Sequence, residues 1–325
     1  MKERGMKERR MKERTMTERG MKDYVVALAS SVREAVLAAR DQAGSRLVRG
    51  HSPGGDAQFG LDDVAEAAVW KYVADAGLPV AVYSEDRGLQ FHGERPEHLL
   101  VVDPIDGTRP AVAGLESATV SVAVARMSDR PRIADVEHAL LMELGTGAYL
   151  YGDRDTDTVQ AHGYGPAAVP ALTTNTDLTR MFWSIEFNGH PARLMAGAYG
   201  HLIDRSANTG GVFVFNSATY SISRLLTGQL DAYVDIGNRL LRDTPALLPE
   251  FERAGNGRVL HLFPYDIAAA VFLAEKAGAV ITDAYGEPLG ETALTDLSVL
   301  NQRSCVAAST PELHRALLEG ITWQV

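Results

Sequence analysis

Residues 99–108 read LLVVDPIDGT, and no other run constrains this chain as tightly. Four apolar residues bounded by turn formers suit a strand covered on both faces. Pro104 interrupts the ladder because it has no N–H to donate. Gly107 lets backbone approach a ligand closely. Asp103 and Asp106, three apart at the end of a buried strand, are costly unless positive charge meets them. A divalent cation with oxygen ligands is the simplest such partner. A fold built around this run should then carry further oxygen ligands elsewhere in the chain.

The chain is long enough, at 325 residues, for one large domain or two. No apolar run reaches membrane-spanning length, so no membrane partner is expected. Cys305 is the lone cysteine, which rules out an internal disulfide and fits a reducing, cytoplasmic setting. It reads as a small buried hydrophobe. Net charge is −10, but residues 1–20 carry eight Lys/Arg against four Glu, so this stretch is +4 and the remainder −14. An acidic body argues against nucleic-acid binding, which depends on neutralising phosphates. Phosphorylated small molecules stay open if metal ions supply the charge.

Residues 1–20 are a pentad repeat: MKERG, MKERR, MKERT, MTERG. Five residues advance a helix by about 140° net, so successive Met side chains share no face. The expectation is a disordered, charged tail over 1–22, with a nucleic-acid-binding arm as the sharper alternative. From Met21 the pattern turns helical, with Val25, Leu28, Val32, Val36 and Ala39 on one face. A turn-rich loop follows at 51–56. A second helix is expected over 61–73, its early Asp62, Asp63 and Glu66 suited to the helix dipole. Strands are expected at 79–83, 99–102 and 118–127, with a hairpin over 137–151. Polar connections fill 152–180. Strands of a second sheet are expected at 183–187 and 212–215, with further short strands at 232–235, 280–283 and 304–308. Helices should cover 217–226, 266–277 and 311–319, with 236–264 an irregular excursion. The mixture lacks strict βαβ alternation, which favours stacked sheets with helices between and outside them. The expected organisation is one domain over 23–325, with sub-lobes near 23–155 and 156–325.

Four acids stand at element ends: Glu85, Asp103, Asp106 and Asp266. Oxygen ligands without nitrogen or sulfur suit Mg²⁺ or Mn²⁺, not zinc. Two such ions would clamp the oxygens of a phosphoryl transfer, with Asp103 between them and the Ile105 carbonyl as a further ligand. The amides of Gly107 and Thr108 would face a phosphate. Each acid alone also reads as a turn or cap residue; Asp266 could be an N-cap.

At these residues the chain resembles the inositol monophosphatase family, within the wider superfamily that includes fructose-1,6-bisphosphatases. Its first motif stands intact as Asp103 to Thr108. Its second is matched by Tyr265-Asp266-Ile267-Ala268-Ala269-Ala270, followed by Ala277-Gly278-Ala279. The paired acids before the first motif look like Glu85-Asp86. Pro110, Asn216, Glu116, Asp86 and Tyr265 depart from the usual Asn, Gly, Pro, Glu and Trp. The resemblance implies an α+β fold, a layered α-β-α-β-α sandwich. It implies hydrolysis of a phosphate monoester with two or three Mg²⁺ ions, inhibition by lithium, and a homodimer. Carried over by position, Glu85, Asp103, the Ile105 carbonyl, Asp106 and Asp266 hold metal. Glu85 and Thr108 activate the attacking water, and Asp62 joins their network. Gly107, Thr108, Ser217, Ala218, Thr219 and Asp235 contact phosphate or substrate.

Inositol monophosphate is the first candidate substrate. Fructose-1,6-bisphosphate is the alternative, with Arg193, Arg205, Arg239 and Arg242 as candidate cations for a second phosphate. A regulatory binding protein that keeps the fold and uses its basic tail is the alternative of another class.

Overall fold

The computed structural model describes residues 18–42, 44–165 and 169–324. Two sheets carry the architecture. The larger has seven strands in the order β4-β3-β5-β6-β7-β8-β9. These are β3 Val80–Ser84, β4 Gly88–His92, β5 His98–Asp106, β6 Thr119–Arg126, β7 Val136–Glu143, β8 Tyr149–Asp153 and β9 Gln160–His162. The smaller has five, in the order β11-β10-β12-β14-β13: β10 Phe182–Ile185, β11 Gly211–Phe213, β12 Ala232–Asp235, β13 Val280–Thr282 and β14 Cys305–Ala308. A separate ribbon pairs β1 Val48–His51 with β2 Ala57–Phe59.

Burial of β5 on both faces explains the layering. Leu100 and Val102 pack with helices α1 (Glu18–Ala39) and α2 (Gly60–Ala76) on one side. Leu99 and Val101 join a second core on the other side, with α5 (Ala218–Leu226) and α8 (Pro264–Ala277). That middle helical layer also covers the inner face of the small sheet, where Tyr233, Cys305 and Ala307 point. Ala232, Val234, Val306 and Ala308 face the other way, onto α4 (Ala192–Ser206) and α9 (Pro311–Gly320). The order is α-β-α-β-α, the layered α+β sandwich expected from the sequence. Cys305 is fully buried, as a small hydrophobe should be.

The structure corrects several local expectations. Helix α1 starts at Glu18, inside the stretch assigned to a tail over 1–22. Met21 continues the stripe of Val25 and Leu28 by one turn and is buried with it. Residues 1–17, with most of the pentad repeat, lie outside the described residues. The excursion 236–264 is not irregular throughout: it holds α6 (Gly237–Asp243) and α7 (Leu248–Ala254), with Pro249 in the first turn of α7. Helix α4, edge strand β4, β9 and the β1–β2 ribbon had no counterpart in the sequence reading.

Candidate active site

The site forms where three elements end. Strand β3 runs parallel to β5, pairing Ser84 with Val102, so Glu85 emerges beside Asp103. Strand β5 loses regular pairing with β6 between Asp103 and Asp106, the span that contains Pro104. Gly107 then turns the chain at φ 93° into the short helix α3 (Thr108–Ala113). A Cβ there would sit 2.6 Å from the Ser117 carbonyl oxygen and 3.0 Å from the Ser217 Cβ, so glycine is required for space as well as for torsion. Pro110 falls within the first turn of α3, where a missing N–H costs nothing. Asn216 adopts φ 54°, the left-handed region that its usual glycine counterpart would enter freely.

Helix α8 brings Asp266 from the middle layer. Its Oδ2 accepts from the Phe263 amide at 2.6 Å, which fixes the side chain at the helix start. One oxygen each from Asp103, Asp106 and Asp266 lies within 4.8 Å of the others. Glu85 lines the same pocket but stands outside this tight cluster. Burial, then the neighbouring acids, pushes Asp103, Asp266 and Glu85 well above the usual carboxylate range. Asp106 is pushed up less, because hydrogen bonds from Thr219 and Ser217 oppose its desolvation.

Asp106 is the most tightly held of the acids. Its Oδ2 accepts from the Ser217 hydroxyl at 2.9 Å, the Thr219 amide at 2.6 Å and the Thr219 hydroxyl. Thr219 is fully buried, also bonds Thr119, and does not line the pocket. Its amide and hydroxyl hold the Asp106 carboxylate from behind the pocket. Asp62 likewise stands behind the pocket. Its Oδ2 accepts from the Phe59 amide at 2.7 Å, and its Oδ1 accepts from the Thr108 hydroxyl at 2.8 Å. Thr108 also lies 3.1 Å from the Ile105 carbonyl. Burial raises the Asp62 carboxyl to about 7. Gly107, Thr108, Ser217, Ala218 and Asp235 line the pocket.

The far wall was not legible. Glu186 follows β10 and accepts from the amides of Phe187 and Asn188 at 2.9 and 2.7 Å. His190 and His261 stand beside Asp235, their rings 5.5 Å apart. Burial raises Glu186 and Asp235 to about 7 and holds both imidazoles below the usual histidine range. Across the mouth, Asp56 of the β1–β2 ribbon meets Arg109 through two bonds of 2.7 and 3.1 Å. The Gly54-Gly55-Asp56 turn was a visible signal of a ribbon tip, but nothing local linked it to Arg109.

None of the four arginines considered for a second phosphate lines the pocket. Arg239 donates to the Ala284 carbonyl and stacks on Trp323. Arg242 donates to the carbonyls of Leu300 and Gln302. Arg193 and Arg205 are exposed on α4.

Stacked sheets that bring an oxygen-only acid cluster to a glycine-led helix start, beside a cleft, define a metal-dependent phosphoric monoester hydrolase. The chain belongs to the inositol monophosphatase family, whose model matches residues 21–323. It is 24% identical over 308 residues to a fructose-1,6-bisphosphatase/inositol-1-monophosphatase of Methanothermobacter thermautotrophicus, covering 92% of this chain and 96% of the relative. A like-named enzyme of Archaeoglobus fulgidus is 25% identical over 272 residues, covering 82% and 87%. The fold is shared with a Pyrococcus horikoshii protein that has similarities to inositol-1 monophosphatase. That match has a TM-score of 0.65 and 20% identity, covering 94% of this chain and all of that one. No described helix is long and apolar enough to cross a membrane.

Proposed function

We propose that this chain hydrolyses a phosphate monoester of a polyol or sugar, inositol monophosphate first, using two or three Mg²⁺ ions. The carrying observation is the convergence of the buried Asp103, Asp106 and Asp266, which offer one oxygen each within 4.8 Å of one another. Arg109 is the one cationic side chain lining the pocket among the described residues, and it is engaged by Asp56. Buried acids without a counter-charge fit a hard divalent ion, Mg²⁺ or Mn²⁺, with the Ile105 carbonyl and Glu85 as further oxygen donors. When bound, the metal supplies positive charge against the acids and the phosphoryl oxygens.

The chain's own groups then divide the work. Glu85 lines the cleft and orients the attacking water. Thr108 donates to Asp62, so its oxygen presents a lone pair to that water. A proton taken by the hydroxyl passes to Asp62, whose carboxyl near 7 can accept and release it at neutral pH. The Gly107 and Thr108 amides face the phosphate oxygens. Asp106, locked by Ser217 and Thr219, positions the water that protonates the leaving alkoxide.

The names of the archaeal relatives favour fructose-1,6-bisphosphate as the second reading. The proposal includes a single catalytic unit over 23–325, a cytoplasmic setting suited to the lone buried Cys305, and a homodimer. Sedimentation should give twice the 35.1 kDa chain mass; a monomer at micromolar concentration removes the dimer. The test of function is inorganic phosphate release from inositol 1-phosphate. It should require Mg²⁺, stop with chelator and be inhibited by lithium. Release that persists at full rate in excess chelator overturns the reading.

A further inference from the structure

Away from the active-site pocket, a second cleft of about 390 Å³ opens where the end of α1 meets the end of α3. Its size suits a small ligand. Three arginines gather on it, in a chain whose net charge is −10. Arg40 and Arg46 line the cleft. Arg49 stands at its wall, with Nη2 3.5 Å from where a Cβ on the lining Gly44 would sit. Asp41 is the one acid among the lining residues; its side chain is 88% exposed, and its Oδ1 lies 3.6 Å from the Arg40 Nε, beyond hydrogen-bond length. That Nε is buried and has no hydrogen-bond partner. Arg46 donates from its Nε to the Val112 carbonyl at 2.8 Å, and its terminal nitrogens are unbonded among the described residues. Arg49 makes no ion pair or hydrogen bond among the described residues.

Helix ends explain part of the cluster. Arg40 follows the last turn of α1 and Arg46 caps a carbonyl of α3, and cations suit both places. Capping does not account for Arg49, which sits on β1, or for the open terminal nitrogens of Arg46. Guanidinium groups gathered on one cleft repel one another unless an anion lies among them. Their planar forks match phosphate oxygens two at a time, so three of them suit more than one phosphate group.

We propose that this cleft binds a small anion carrying two or more phosphate groups, and that its occupancy is felt at the catalytic centre. Two elements make the connection. Helix α3 is six residues long, so the helix that ends at the cleft begins at Thr108 in the active site. Leu47 lines the cleft, and its carbonyl accepts from the Gly60 amide at 3.0 Å, at the root of the ribbon whose Asp56 meets Arg109. An anion that draws Arg46 off the Val112 carbonyl frees the end of α3 and loosens Thr108 at its start. This coupling rests on the phosphatase reading; the binding does not.

Pyrophosphate is the probe, titrated calorimetrically into the metal-stripped full chain. Without metal the active-site acids repel an anion, so the heat reports the arginine cleft. Arg46→Ala and Arg49→Ala should each weaken binding by about fivefold or more, and added salt should weaken it further. Both side chains are exposed, so the fold survives their loss. Arg205→Ala removes an exposed arginine of α4 and should leave binding unchanged. Absence of binding, or weakening no greater than that of Arg205→Ala, overturns the site. At fixed free Mg²⁺, saturating pyrophosphate should lower kcat for p-nitrophenyl phosphate by about twofold or more in the wild type and not in the double variant Arg46→Ala/Arg49→Ala. Competition at the active site alone would raise KM and spare kcat. A kcat that pyrophosphate leaves unmoved overturns the coupling. Failure of the wild type to hydrolyse p-nitrophenyl phosphate in Mg²⁺ overturns the phosphatase reading instead, and the binding result stands or falls by itself.

Discussion

Asp103→Asn lowers phosphate release by about 10³-fold or more, and in metal-free buffer it raises the thermal midpoint. Both halves follow from one environment. Asp103 is 2% exposed, and its Oδ1 accepts from the Ile105 amide at 3.0 Å. Burial, Asp106 and Asp266 together push its carboxyl well above the usual range. Asparagine has nearly the same shape, so it keeps the Ile105 bond and the packing. It removes one negative charge from the cluster and can turn an N–H toward oxygens that need a cation. A divalent ion then loses a ligand, and the phosphoryl oxygens lose the charge that would stabilise them. Without metal the sign reverses, because a repelling acid has been neutralised at the centre of the cluster. The paired readout separates a lost site from a lost fold: a misfolded variant would lose activity and melt earlier. Phosphate release within tenfold of wild type would remove Asp103 from the mechanism.

How much of this was legible before the structure depends on distance along the chain. The run 99–108 declared a doubly covered strand, and the observed alternation of Leu99 and Val101 against Leu100 and Val102 follows directly from it. Asp266 was legible because it opens a strongly apolar helix. Helix α4 escaped although Met195, Ala198, Tyr199 and Leu202 repeat at helical spacing, because Gly197 and Gly200 interrupt the stretch with poor helix formers. Strand β4 escaped because an edge strand carries no buried face to mark it. Asp235 and Asp62 were both assigned through the resemblance, since the helix start alone explains Asp62 as an acid suited to the dipole. Glu186, His190 and His261 were not found, since they sit in loops more than 70 residues apart at the extremes and meet because the small sheet stacks behind the middle helices. No local spacing encodes that meeting. Thr219 stands in the segment assigned to substrate, and the Ser217-capped helix turns its hydroxyl toward the Asp106 carboxylate, a contact that no local spacing announces.

Mg²⁺ should stabilise the protein strongly at pH 8 and weakly at pH 5.5. Asp62, Glu186 and Asp235 have carboxyls raised to about 7, and burial with neighbouring acids pushes Asp103, Asp266 and Glu85 well above the usual carboxylate range. Ordinary carboxyls in the unfolded chain titrate near 4. Between those values the metal-free folded state binds more protons than the unfolded state, so unfolding free energy falls as pH rises. The stability these groups contribute is full below about pH 4 and is lost progressively as pH climbs through 7 and beyond. Protons therefore do at low pH what a divalent ion does at high pH: each removes repulsion among the same buried acids. The two compete, because a carboxylate must be deprotonated to bind metal. Saturating Mg²⁺ should raise the thermal midpoint by about 5 °C at pH 8, from ligand linkage at roughly a hundred times the dissociation constant. At pH 5.5 the rise should be much smaller, and the metal-free protein should itself melt later than at pH 8. Scanning calorimetry in chelator and in Mg²⁺ at the two pH values measures all four states. A metal effect that is equal at both, or larger in acid, would show that these carboxylates are not the groups that bind it.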